Sequence, residues 1–241
     1  MIKKAIEYIV GLSVPTVQEI GGQQYSDKPL HRIKHNPSAK PITLTTLSSL
    51  VEYLHEQVDP VKTAKTVIHV QSPVRVCVYS QLDEEREREC LVEVNAQLPG
   101  IPFDQFIGHE SFCIGLQSKF VDGADTDKAL LLKFAGTVEA GSVAEYGDDG
   151  VSQKATVKTG LASKGDALVP SRVLLRPYRT FVEVEQPPSE FIFRMNQDRS
   201  GAVQGALFEA DGGVWKHYAM AAIKAYIEIA LCERDDILVI A

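Results

Sequence analysis

The spacing of apolar and polar positions changes period several times along this chain, and each change marks an element. Ile2, Ala5, Ile6, Ile9 and Val10 share one helical face, and Gly11 follows as a stop. Val17 to Ile20 and Gln23 to Ser26 flank Gly21-Gly22, which predicts a small hairpin followed by an irregular basic loop as far as Pro41. Thr45 or Thr46 then caps a helix whose stripe is Leu47, Leu50, Val51 and Leu54. Thr66 to Val70 and Val74 to Tyr79 are β-branched and alternating, so two strands meet at Ser72-Pro73, with a third at Cys90 to Asn95. Between them, Asp83 to Glu89 mixes charge signs and reads as a solvated hairpin tip. Phe103, Phe106, Phe112, Ile114, Leu116 and Phe120 predict a helical region that supplies rings to a core.

In the second half, Ala129 to Val138 predicts a helix. Val143 to Tyr146 and Val151 to Val157 flank Gly147-Asp148-Asp149-Gly150, a hairpin signal because Asp-Gly accepts positive φ. After a flexible link from Gly160 to Gly165, the runs Ser171 to Leu175, Tyr178 to Glu185 and Glu190 to Met195 predict a meander. A four-residue loop at Gln186-Pro187-Pro188-Ser189 sets Val184 opposite Phe191, Val182 opposite Phe193 and Thr180 opposite Met195. Val182, Val184, Phe191 and Phe193 are then expected in the core, with Arg179 and Glu183 outward beside Phe181, Ile192 and Arg194. Ala202 to Ala210 adds a strand, and Asp211 is expected to cap a long helix bearing Trp215, Ala219, Ile223 and Ile227, with Lys224 and Glu228 paired at i,i+4. The last run, Ile237-Leu238-Val239-Ile240, is apolar enough that it should be paired in a sheet or buried against a second subunit.

The expected class is therefore α+β: antiparallel meanders with packed helices, and a long C-terminal helix followed by a final strand. At 241 residues the chain suits a single unit, with 1–124 and 125–241 as subdomains that pack together if it divides. The net charge of -7 argues against a general duplex-DNA binder, which gains affinity by neutralising phosphates. Glu7 interrupts the apolar start too early for a secretory leader, and nothing approaches the ~20 apolar residues of a membrane span. Cys77, Cys90, Cys113 and Cys232 contain no Cys-x-x-Cys pair, which fits reduced thiols in the cytoplasm.

Candidate chemistry is sparse. The phosphate-loop, dinucleotide, nucleophile-elbow and zinc-protease motifs are missing, so no cofactor and no catalytic residue is expected. His31 and His35 are four apart, but Pro29 and Pro37 deny them a shared helical face, and the acidic turn at Asp148-Asp149 lacks a calcium ladder. His109-Glu110-Ser111 and Cys113 place a base near nucleophiles in sequence only. The strongest ligand-binding candidate is the cluster Arg172, Arg176, Tyr178, Arg179, Phe181 and Arg194, since guanidinium forks bind phosphate and rings stack on bases. The bland alternative pairs the arginines with Glu183, Glu185 and Glu190. Phe208-Glu209-Ala210-Asp211-Gly212-Gly213 sets two carboxylates before paired glycines, where helix-dipole compensation explains them.

Three stretches carry a resemblance. Pro41-Ile42-Thr43-Leu44 leading into Leu47 to Tyr53, the block Leu175 to Pro187, and Phe208 to Gly213 resemble the YfdQ-like family of uncharacterised tailed-phage and prophage proteins, over most of the chain. The resemblance implies a phage-encoded protein in the cytoplasm of an infected or lysogenic bacterium, working among replication, recombination or counter-defence functions. It brings no active-site residue with it. The leading expectation is a non-enzymatic accessory protein that self-associates, with Ile237, Leu238, Val239 and Ile240 at the oligomer contact. The second is a binder of nucleotides or single-stranded nucleic acid through the arginine and aromatic cluster, and the third an enzyme of unfamiliar type.

Overall fold

A computed structural model describes residues 2–11, 14–29, 38–57, 65–83, 86–145, 153–158 and 164–241. The contacts divide the chain into two units, Met1–Ala39 and Lys40–Ala241. In the first, helix α1 (Ile2–Gly11) precedes the antiparallel hairpin β1 (Val17–Ile20) and β2 (Gln23–Ser26), as the sequence pattern requires. Gly21 and Gly22 take φ of 62° and 79° at the reversal, a region closed to most side chains. None of the described residues of this unit is buried.

The second unit is α+β and builds two separate cores. One lies under a five-stranded sheet in the order β14 (Ile237–Ile240), β4 (Thr66–Ser72), β5 (Arg75–Tyr79), β6 (Cys90–Asn95), β3 (Ile42–Leu44). Its centre is antiparallel, while β14 and β3 join the edges in parallel. The register aligns Val239, Ile68, Val78 and Val92 in one row, and Val70, Val76 and Val94 in the next. Helices α2 (Leu47–Glu56) and α5 (Trp215–Ala230) cover these rows with Leu47, Leu50, Leu54, Ile223 and Ile227, all buried. Thr46 is the N-cap of α2, its hydroxyl accepting from Ser49 N at 3.2 Å.

The other core lies on a four-stranded antiparallel sheet, β11 (Arg172–Leu175), β12 (Ser189–Gln197), β13 (Val203–Glu209) and β7 (Ile107–Gly108), covered by α3 (His109–Lys119) and α4 (Lys128–Ala135). Phe103 and Phe106 lie ahead of α3 rather than in it; Phe103 nonetheless stacks on Phe191, centroids 5.2 Å apart. The helix expected through Val138 stops at Ala135, because β8 (Val138–Glu145) begins there. It pairs with β9 (Gln153–Lys158), and β9 with β10 (Lys164–Leu168), in a three-stranded antiparallel sheet. The tip at Asp148-Asp149, the link residues 160–163, and His31 with His35 lie outside the described residues.

Sheet and helix meet closely at Gly205. A Cβ there would stand 2.8 Å from Phe112 Cγ, so the glycine is what lets α3 lie flat on β13. Gly205→Ala is expected to cost about 1 to 3 kcal/mol. A denaturation midpoint equal to the parent's would show that α3 can shift freely.

Strand β14 is anchored at its start. Arg234 forks onto Asp236, Nε to Oδ1 and Nη2 to Oδ2 both at 2.7 Å, and Nη1 donates to Leu54 O at 2.5 Å. These bonds hold the Asp236 carboxyl below its ordinary pKa. Their contribution is present above the unfolded value of about 3.9 and is lost as pH falls through the lower folded value. A carboxyl NMR titration is expected to place the Asp236 midpoint below about 3.9, and Arg234→Met to raise it. A midpoint that ignores Arg234 would disprove the assignment.

Candidate functional site

The segment from Arg176 to Pro188, between β11 and β12, carries most of the candidate residues, and it is not a strand. Pro177, Pro187 and Pro188 offer no N–H to a ladder. The buried side chain of Gln186 takes the ladder's place. Its Oε1 accepts from Arg179 N (3.0 Å) and Thr180 N (3.2 Å), and its Nε2 donates to Phe181 O (2.9 Å) and Val184 O (3.3 Å). The result is a compact knot that corrects the predicted register. Val182 is 69% exposed and Arg179 only 6%, the reverse of the hairpin expectation, whereas Val184, Phe191 and Phe193 are buried as expected. Thr180 donates its hydroxyl to Pro73 O at 2.6 Å. Glu183 Oε1 accepts from Leu47 N at 2.8 Å, so this carboxylate meets the N-terminus of α2.

The buried Arg179 stands at the centre of a polar cluster. Its Nη1 donates to Glu209 Oε1 at 2.7 Å and its Nη2 to Ser189 Oγ, while Asp211 Oδ2 lies 4.0 Å from Nη2. Ser189 Oγ in turn donates to Asp211 Oδ2 at 2.5 Å. The guanidinium lies over Trp215, 3.9 Å from the ring centroid, with Phe191 at 5.7 Å. Burial lowers its pKa to about 10, against the opposing pull of Glu209 and then Asp211, so the group stays charged at neutral pH. The Asp-Gly-Gly turn makes this possible. Gly212 and Gly213 take φ of 64° and 80°, and Asp211 Oδ1 accepts from Gly213 N at 2.9 Å. Asp211 therefore shapes the turn rather than capping α5, whose N-cap is Val214.

The remaining cluster residues diverge. Arg172 pairs with Glu190 at 3.1 Å, both side chains more than half exposed. Arg176 bridges Asp125 (2.5 Å) and Glu185 (2.8 Å). Tyr178, partly exposed, donates its N–H to Lys119 O, and Arg194 is on β12 opposite Ala206. Phe181 is 1% exposed in the core under the five-stranded sheet, so its ring offers no stacking face. Arg172, Arg176 and Arg179 thus have carboxylate partners within the chain.

His109 and Cys113 do come together, Nε2 to Sγ at 3.7 Å on α3, but Nε2 also stands 2.8 Å from Ala135 O. A carbonyl only accepts, so Nε2 carries the proton and has no lone pair to take the thiol's. Burial also pushes the Cys113 thiol upward, away from thiolate. Among the described residues no three His, Cys, Asp or Glu side chains gather to hold a metal, and no helix is long and apolar enough to cross a membrane. A narrow cleft of about 20 Å³ beside α3 is lined by Ile101, Ile107, Phe112, Leu116, Lys119 and Leu207.

Gln186, Ser189 and Trp215 escaped the sequence reading of the cluster. The signal for Gln186 was its place directly before Pro187-Pro188, where a ladder cannot form and a side chain must supply the bonds. Strand β14, by contrast, pairs in the sheet as one of the two expected settings, with Leu238 50% and Ile240 40% exposed beside the buried Val239. Comparison with known proteins found no matching family model, no matching curated protein and no matching solved structure.

Proposed function

We propose that this chain is a non-enzymatic accessory protein of a tailed phage or prophage that self-associates and acts by binding. The observation that carries the binding half of this reading is α1. Ile2, Ile6, Ile9 and Val10 lie on one face of the helix, and none of them is buried within the first unit. A helix stripe of this kind normally faces a core or a partner, and in water it is a liability. The internal pairing of Arg172, Arg176 and Arg179 supports the same reading, because a charge already matched by a carboxylate gains less from a ligand's phosphate. The phage context, early functions in the host cytoplasm, rests on the sequence resemblance alone.

Light scattering and native mass measurement of the full chain test the reading. Particles at multiples of the 26.5 kDa protomer are expected at micromolar concentration, and Ile6→Asp/Ile9→Asp is expected to reduce their mass or their binding. A 26.5 kDa monomer carrying a co-purified nucleotide would replace the reading with that of a nucleotide binder.

A further inference from the structure

The open edge of the five-stranded sheet carries its own register. Thr66 N donates to Asp236 O at 2.8 Å, and Ile237 pairs with Thr66 in the parallel ladder. Alternate residues of a strand bond to a given neighbour, so residues 236, 238 and 240 turn their backbone groups toward β4. Those of Ile237, Val239 and Ala241 turn the other way, to an edge with no strand partner among the described residues. Ile237 N is satisfied by Arg234 O at 3.2 Å. The edge therefore presents the carbonyls of Ile237 and Val239 and the N–H groups of Val239 and Ala241.

We infer that this edge pairs with the same edge of a second copy, antiparallel about a two-fold axis at Val239, to make one continuous sheet across two protomers. The inference rests on the self-association reading above and names its surface. A two-fold axis through the sheet keeps buried rows beside buried rows, so only registers that pair residues of equal parity are allowed. With the axis at Val239, each Val239 bonds its counterpart twice, and each Ala241 N–H reaches the other copy's Ile237 carbonyl, giving four bonds. With the axis at Leu238, the occupied Ile237 N–H leaves two.

The Val239 register also sets Leu238 beside Ile240 of the second copy on the outward face, joining the two half-exposed side chains of the strand. Charge selects the same partner. A copy of a chain with net charge -7 is repelled on the whole, but the side chains of Ile237 to Ala241 carry no charge. Edges that must stay unpaired are commonly guarded by lysine, proline or a bulge, and this one has none of them.

The test uses the full chain, measured by light scattering over a dilution series. The parent should form dimers or larger multiples of 26.5 kDa. Leu238→Lys/Ile240→Lys sets lysine against lysine twice at the axis and should weaken dimerisation about tenfold or more, with the melting temperature kept because both side chains face outward. Leu238→Lys/Ile240→Glu sets lysine against glutamate in the Val239 register and should restore association. In the Leu238 register it would set lysine against lysine and fail. Should the double-lysine variant lose its fold, Ile240→Lys alone serves as that arm. An oligomer indifferent to all these changes overturns the β14 pairing and leaves the self-association reading standing. A monomeric parent overturns both.

Discussion

Arg179→Met is expected to lower unfolding free energy by about 3 to 5 kcal/mol, measured by urea denaturation. Methionine can fill much of the space over Trp215, so the loss comes from the acids left behind. The side chain of Asp211 is only 9% exposed and that of Glu209 31%, and Ser189 already holds the Asp211 oxygen that faces Arg179. A stranded buried carboxylate loses solvation that its partner had replaced, which is why breaking such a pair costs more than the pair is worth. Arg172→Met supplies the contrast. Its bridge to Glu190 joins side chains 66% and 56% exposed, and its loss should cost no more than about 1 kcal/mol. Removing Arg179, Glu209 and Asp211 charge together, as Arg179→Met/Glu209→Gln/Asp211→Asn, should recover part of the deficit. Arg179 and Arg172 variants of equal stability would mean that the buried cluster is hydrated like a surface pair.

What the sequence displayed depended on whether local pattern and tertiary partner agreed. The strands β4, β5 and β6 and the cap at Thr46 followed from alternation and from a hydroxyl at the right offset, both set within a few residues. The stretch Arg179 to Val184 alternates just as well, yet it is a knot, because Gln186 and three prolines remove the ladder that alternation presumes. Its period of two is not kept: Phe181 and Val184, of opposite parity, enter one core while Arg179 turns toward Trp215. For the candidate site, the pairs Arg172 with Glu190 and Arg176 with Glu185 were legible, since both partners lie on neighbouring segments. The partners of Arg179 were not. Glu209 and Asp211 lie about thirty residues away, and only the β12 to β13 register brings them to it. Likewise the apolar run Ile237 to Ile240 announced a paired strand, but nothing local could announce a parallel pairing with β4 across the length of the second unit.

Phe193→Ala is expected to cost about 3 to 5 kcal/mol, because every surface of this ring is occupied. Phe193 is fully buried at the centre of β12, opposite Leu207 on β13. Its ring stacks on Phe112 of α3 at 5.4 Å and 23°, and meets the edge of Phe134 of α4 at 6.5 Å. One side chain therefore ties the sheet to both helices that cover it, so truncation removes transfer energy and leaves a cavity between three elements. Collapse of α3 into the gap is limited on its other side, where Phe112 already touches the space that Gly205 leaves empty. Phe193→Leu should lose clearly less, and a double-mutant cycle with Phe112→Ala should return a coupling of about 0.5 to 1.5 kcal/mol for the stacked pair. A cost below about 1.5 kcal/mol for Phe193→Ala would mean that the helices close over the sheet without it, and the jigsaw described between α3, α4 and β12 would not be what holds this core.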